Sequence, residues 1–191
     1  MRIELIWVQR MMEWMRRKVY LETMVPSAKN RIVKRGQVYR CDFGQGIGSE
    51  MQKERPAVII QNDIGNIHSS NTIVLPITHN QRMAPCIVTI EPQWDTNGEL
   101  IVDGQVNASN IMCISKARLG NYITVLSSAE MRKVDEAIAK SVGIISYYSG
   151  IKKKLENKMQ YITRLKEERN RAQDDLKKME EVLNNEKKIN S

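Results

Sequence analysis

The 191-residue sequence predicts a mainly β chain with helices: a small, strongly twisted sheet or open barrel closed by one helix, with an N-terminal helix before it and a long helix after it. Three observations predict this. Between about residues 31 and 150, apolar runs of strand length are punctuated by Gly, Pro, Asn and Asp. At SSAEMRKVDEAIAKSVGI the apolar period changes from that of a strand to that of a helix. After Gly150 neither Gly nor Pro occurs, and apolar residues recur in heptads.

In chain order, IELIWVQRMMEWMRRKVYLETM places Trp7, Met11, Trp14 and Met15 among Arg10, Arg16, Arg17 and Lys18. This predicts an amphipathic helix packed on the body. It is too short and too charged to span a membrane, and it lacks the apolar stretch and small-residue cleavage site of a signal peptide. Two alternatives are a membrane-surface helix and a translation start at Met24, which would make the first 23 residues an artefact. Pro26, Ser27 and Asn30 predict a linker, so residues 1–30 are set apart from a domain over 31–150.

Within that domain GQVYRCDF alternates as a strand and PAVIIQ reads as a short buried one. NTIVLPIT is a third, where Pro76 predicts an edge or a bulge. CIVTIEP continues the pattern, WDTNG predicts a turn, ELIVDGQVNASNIMCIS holds one or two strands, and NYITVL is the last. Five to seven short strands are expected in all. Ser127 and Glu130 are spaced to cap the following helix reciprocally, with Val134, Ile138 and Val142 on one face.

From Ile151 the heptad a positions are 155, 162, 169, 176 and 183, and the d positions 151, 158, 165, 172 and 179. Lys158 and Arg169 are the polar intrusions. Residues 151–191 therefore predict a coiled-coil helix and self-association, against the alternative of a solvated helix folded back on the body.

Composition narrows the chemistry. An apolar fraction of 41% supports a packed core. Cys41, Cys86 and Cys113 form no CxxC pair and leave an odd thiol, which argues against a disulfide framework and for a reducing cytoplasm. His68 and His79 have no metal-ligand spacing, so no metal is expected. The net charge of +8 divides as +3 over residues 1–30, +1 over 31–150 and +4 over 151–191, so a polyanionic partner would meet the flanks first. Gly44, Gly46 and Gly48 are followed by no Lys-Ser/Thr pair, which argues against a nucleotide-phosphate loop. Arg55 stands against Pro56 at the head of a buried run. That position suits an arginine aimed at an anion, and equally one solvated or paired with Glu50 or Glu54.

Taken in order, Arg35-Gly36, Gly48-Ser49-Glu50, Arg55-Pro56 and Pro76-Ile77-Thr78 resemble the opening strands and loops of the MazF/PemK family, the toxins of type II toxin–antitoxin modules. Asp103-Gly104, Ile114, Arg118-Leu119 and the helix from Glu130 to Val142 continue the resemblance, which spans about residues 31–146. It implies a CcdB/PemK-like barrel related to SH3 barrels, forming a homodimer with RNA across its interface. The implied activity is ribosome-independent, sequence-specific cleavage of single-stranded mRNA without a metal or cofactor. A MazE/PemI-like antitoxin would block the RNA groove, and DNA binding would accompany that complex.

The resemblance makes Arg55 the catalytic arginine, Thr78 its hydroxyl partner and Glu50 an accessory. RNA supplies its own nucleophile in the 2′-OH, so the protein has only to move protons and stabilise the charge growing on phosphate oxygens. Arginine suits that task because its planar fork matches phosphate and stays protonated. Products would be a 2′,3′-cyclic phosphate and a 5′-OH. His79 beside Thr78 is a candidate acid, base or RNA contact, against an ordinary surface histidine. His68, in the polar run IHSSN, is a candidate RNA contact. Gln61, Asn62 and Asp63 are candidate base readers, against simple turn formation. A hairpin loop through Gly44–Gly48 would close over the RNA.

The chain departs from the family pattern at Ser109-Asn110 and Met112, where members carry an acidic-Gln pair and a basic residue. Both flanking helices lie outside the resemblance. The competing reading is a non-enzymatic interaction protein, CcdB-like or built on the coiled coil.

Overall fold

A computed structural model describes residues 4–79 and 83–189, with side chains as far as residue 180. In chain order the elements are α1 (Leu5–Ala28), β1 (Gln37–Asp42), β2 (Glu54–Ile59), α2 (Asp63–His68), β3 (Asn71–Thr78), β4 (Ile87–Thr89), β5 (Gln93–Trp94), β6 (Leu100–Val102), β7 (Gln105–Asn107), β8 (Met112–Ser115), a 3₁₀ turn (Lys116–Arg118), β9 (Leu119–Val125), α3 (Ser128–Ser141) and α4 (Ile145–Ile189). The helices hold more residues than the strands, so "mainly β" describes only the middle of the chain.

Seven strands form an antiparallel sheet in the order β4-β7-β3-β2-β1-β9, with β8 also on β3; β5 and β6 form a separate hairpin. No ladder joins β4 to β9 among the described residues, so the expected barrel is an open sheet. The stretch expected to hold one or two strands contains three, β6 to β8. Pro76 lies in the sheet interior rather than at an edge. On one side of β3 it pairs with Ala57; on the other it falls between residues 71–74, which pair with β8, and residues 77–78, which pair with β7. The missing N–H is tolerated at that changeover.

The non-alternating runs PAVII and IVLPI have a direct cause, since β2 and β3 are buried on both faces. Val58, Leu75 and Ile77 point into a core shared with Val38, Val106 and α3 residues Val134 and Ala137. Ala57, Ile59 and Val74 point into a second core with Tyr39, Cys41, Phe43 and Leu119. At the head of α3 the Ser127 hydroxyl accepts from the Glu130 amide, and the Glu130 carboxylate accepts from the Ser127 amide at 2.8 Å. The WDTNG turn is held by Asp95, whose carboxylate accepts from the Asn97 and Glu99 amides.

Two segments differ from expectation. Pro26 is not in a linker: α1 continues to Ala28, and the proline sits in its last turn, forgoing the bond to the Glu22 carbonyl. Residues 63–68 form the helix α2 rather than a turn and loop. Asn62 caps it by accepting from the Gly65 amide at 2.7 Å, and His68 is its last residue. Below α2 lies a buried polar knot. The Asn66 amide donates to the Gln61 carbonyl, Thr72 donates to Asn66 Oδ1, and Lys116 Nζ donates to the Asn66 carbonyl at 2.6 Å.

The chain divides into two compact units, residues 1–143 and 144–191. In the second, α4 keeps Leu155, Ile162, Leu165, Leu176 and Met179 exposed, the a and d positions of the heptad. Nothing in the single chain confirms a coiled coil. Among the described residues no helix is long and apolar enough to cross a membrane.

Candidate active site on a polar row of the sheet

Strand β2 starts at Glu54, so Arg55 lies inside the strand rather than at a loop end. The β1–β2 ladder sets Arg55 against Cys41. The β2–β3 ladder pairs Ala57 with Pro76 and Ile59 with Val74; carried on by two residues, it sets Arg55 against Thr78. Thr78 in turn faces Gln105, and Gln105 faces Thr89. Residues directly opposite share a face of the sheet. Cys41, Arg55, Thr78, Gln105 and Thr89 therefore form one row across five strands, on the face of the second core. The apolar row Ala57–Pro76 is next to it.

Within the row each side chain has a defined state. The Cys41 thiol is fully buried, and burial pushes its pKa up to about 12, so it is a neutral neighbour. Arg55 is half-buried, and its Nε donates to the Gln52 carbonyl at 3.0 Å. No carboxylate forms an ion pair with it among the described residues. Glu50 instead closes its own turn, accepting from the Ile47 amide at 2.9 Å. A half-buried guanidinium without a counter-charge is suited to an anion from solution. Thr78 is 8% exposed. Gln105 Nε2 donates to Thr89 Oγ1 at 3.2 Å. The sequence reading missed Gln105, although counting by twos from the Asp103-Gly104 motif would have placed it on this face.

Gly104 explains how β7 approaches so closely. Its φ is +104°, and a Cβ there would stand 2.6 Å from the Thr78 carbonyl oxygen. The same crossing brings Asp103 to His79, whose Nε2 lies 2.5 Å from Asp103 Oδ1. His79 is one residue beyond the end of β3, and its side chain is 73% exposed.

The other candidates stand at the far end of β2. Gln61 is six positions beyond Arg55 and past the end of β2, roughly 20 Å away along an extended chain. There Gln61 Nε2 donates to the Asn71 carbonyl, Asn62 caps α2, and the Asp63 carboxylate accepts from the Arg35 amide. His68 is exposed at the end of α2. One chain thus brings Arg55 and Thr78 together and holds Gln61, Asn62, Asp63 and His68 apart from them. Among the described residues no group of three His, Cys, Asp or Glu is placed to hold a metal ion.

The loop from Phe43 to Lys53 supports this end of the sheet. Lys53 donates its amide to the Gly44 carbonyl at 2.7 Å, and its carbonyl accepts from the Phe43 amide at 3.0 Å. Lys53 takes a φ of +67°, the one positive value of a non-glycine residue among those described.

Residues 34–142 match the family model described as PemK-like, MazF-like toxin of type II toxin–antitoxin system. Endoribonuclease EndoA of Bacillus subtilis (strain 168) is 39% identical over 116 residues, covering 61% of this chain and 99% of that protein. Endoribonuclease MazF4 of Mycobacterium tuberculosis (strain ATCC 25618 / H37Rv) is 33% identical over 110 residues, covering 58% and 92%. A crystal structure of MazF from Deinococcus radiodurans shares the fold with a TM-score of 0.52 at 18% identity, over 59% of this chain and 98% of that one. Helices α1 and α4 lie outside the family match.

Proposed function

We propose that this chain, which belongs to the PemK-like, MazF-like toxin family, is an endoribonuclease that cuts single-stranded mRNA at specific sequences without a metal. The observation that carries the reading is the β2–β3 register, which, continued two residues past the Ala57–Pro76 pair, sets Arg55 and Thr78 on one face, with no carboxylate in an ion pair with the arginine among the described residues.

In the proposed reaction the 2′-oxygen forms a bond to phosphorus as the bond to the 5′-oxygen breaks. The 2′-OH gives its proton to solvent water, and the departing 5′-oxygen takes one from water. Charge accumulates on the non-bridging oxygens. There the Arg55 guanidinium and the Thr78 hydroxyl donate, held by strands that need no reorganisation during the reaction. The products are a 2′,3′-cyclic phosphate and a 5′-OH. Glu50 is an accessory through the loop it closes. Gln61, Asn62, Asp63, His68 and His79 are RNA contacts outside the Arg55–Thr78 pair, and a homodimer would bring a second copy of them to the same groove.

The partners that fit this reading are a MazE/PemI-like antitoxin, with DNA binding by that complex, and a second copy of the chain. The exposed heptad face of α4 favours a coiled coil and higher assembly. The cytoplasm is the compartment where mRNA is met. Purified protein should cut single-stranded RNA in EDTA, and Arg55→Ala should lose about 10²–10³-fold in rate, the scale of losing one preorganised donor. Undiminished cleavage by that variant would remove the assignment.

A further inference from the structure

Helix α1 packs against the 3₁₀ turn and borders the β1–β2 loop. Between it and the β1–β2 loop is a cleft of about 900 Å³, of the size that holds a nucleotide-sized ligand. The helix is fixed there at two points. Arg17 Nε donates to Asp42 at 2.8 Å, and the Trp14 ring sits on Gly44 with the Arg118 guanidinium 5.3 Å from the ring centroid. What lines the opening is different in kind. Trp7 is half-exposed with Arg10 stacked 5.4 Å from its centroid, and Arg16 and Lys53 are the other cations on the walls. The acids on the walls are Glu13, Asp42 and Glu54; Asp42 is already taken by Arg17. Among the described residues no carboxylate forms an ion pair with Arg10, Arg16 or Lys53.

We propose that this cleft is a second binding site for single-stranded RNA, in which a base stacks on Trp7 and phosphates meet Arg10, Arg16 and Lys53. The combination is what a single strand requires: an aromatic face that accepts any base, and cations spaced along it for the backbone. Lys53 supplies an independent reason. It occupies a left-handed conformation that glycine adopts without strain and lysine does not. A cation kept at a position where glycine would be more stable points to use of its side chain. The cleft also adjoins the reactive row, since Gln52 on its wall is the residue whose carbonyl holds Arg55. An RNA strand bound at Arg55 would continue into the cleft, so α1 lengthens the RNA track beyond the part matched by the family. The proposal rests on the endoribonuclease reading.

The test uses the full chain and a fluorescent 2′-O-methyl RNA oligonucleotide, which binds but carries no free nucleophile. Arg10→Ala and Lys53→Gly should each weaken binding several-fold, and each should reduce the salt slope by about 0.7, one phosphate contact on a single strand. Lys53→Gly should do so with a melting temperature equal to or above that of the unaltered chain, which separates loss of the cation from loss of fold. Equal affinity and equal slope for both variants overturn the proposal. Loss of binding to a polyglutamate peptide with RNA binding intact overturns it in favour of an acidic protein partner. Cleavage of unmodified RNA, compared with Arg55→Ala, reports separately on the enzymatic reading.

Discussion

The Trp14 ring lies so close over Gly44 that a Cβ built on the glycine would stand 2.4 Å from the ring carbon Cζ2. Gly44 also has a φ of +78°. Gly44→Ala therefore meets two obstacles at once, a strained backbone and a ring held in place by Arg118. The variant should lose about 1–3 kcal/mol in urea unfolding. Its tryptophan emission should shift to the red as α1 lifts from the loop. A native emission maximum in the variant would count against that packing.

Thr78→Val keeps the shape of the side chain and removes only the hydroxyl. Cleavage should fall by about 10²-fold, while Thr78→Ser should recover most of it. Combined with Arg55→Ala, it should cost less than the product of the two single losses, because in the proposed reaction both groups act on the same phosphate. Single-turnover rates on a defined RNA measure all three.

Lys116 is the most buried cation described, at 1% exposure, and burial lowers its pKa. Its ammonium donates to the Asn66 carbonyl below α2. Lys116→Met fills a similar volume and leaves that carbonyl without its donor, at a cost of about 1–3 kcal/mol. Hydrogen exchange should show the loss first in α2 and at the start of β3, the elements tied to Asn66.

The Glu130 carboxylate is buried, which pushes its pKa up. Bonds from the Ser127 hydroxyl and amide and from the Glu91 amide outweigh this, with help from Lys133, and the net shift is downward from 4.5. A carboxyl whose pKa is lower folded than unfolded contributes stability that is complete above about pH 4.5 and is lost as pH falls through the folded value. Thermal melts should therefore decline on acidification below that point. Glu130→Gln should flatten the decline while lowering stability at neutral pH through the weakened cap.

Local chemistry makes much of this protein legible in its residues alone. Uninterrupted apolar runs mark β2 and β3, because strands buried on both faces need no alternation. Ser127 with Glu130 marks the start of α3, because a reciprocal cap needs that spacing. Asn62 and Asp63 mislead for a physical reason: the same short polar side chains that make turns also cap helices, and only the buried Asn66 and its bond to Lys116, fifty residues away, decide for α2. Pro26 misleads similarly, since one missing bond in a last helical turn is a small loss for a helix anchored by Trp14 and Arg17.

What the sequence by itself determined was β1 to β3, α3, the long C-terminal helix and the residue types in the motif, for these depend on side-chain period and on neighbours a few positions away. The tertiary structure alone decided that Arg55, Thr78 and Gln105 share one row, that Gln61 and its neighbours stand at the other end of β2, and that the sheet stays open. It also decided that α1 faces the β1–β2 loop across a cleft. Each of these is a matter of register or of docking between distant segments. A register follows from the summed fit of two whole strands, and no single residue in either strand reports it.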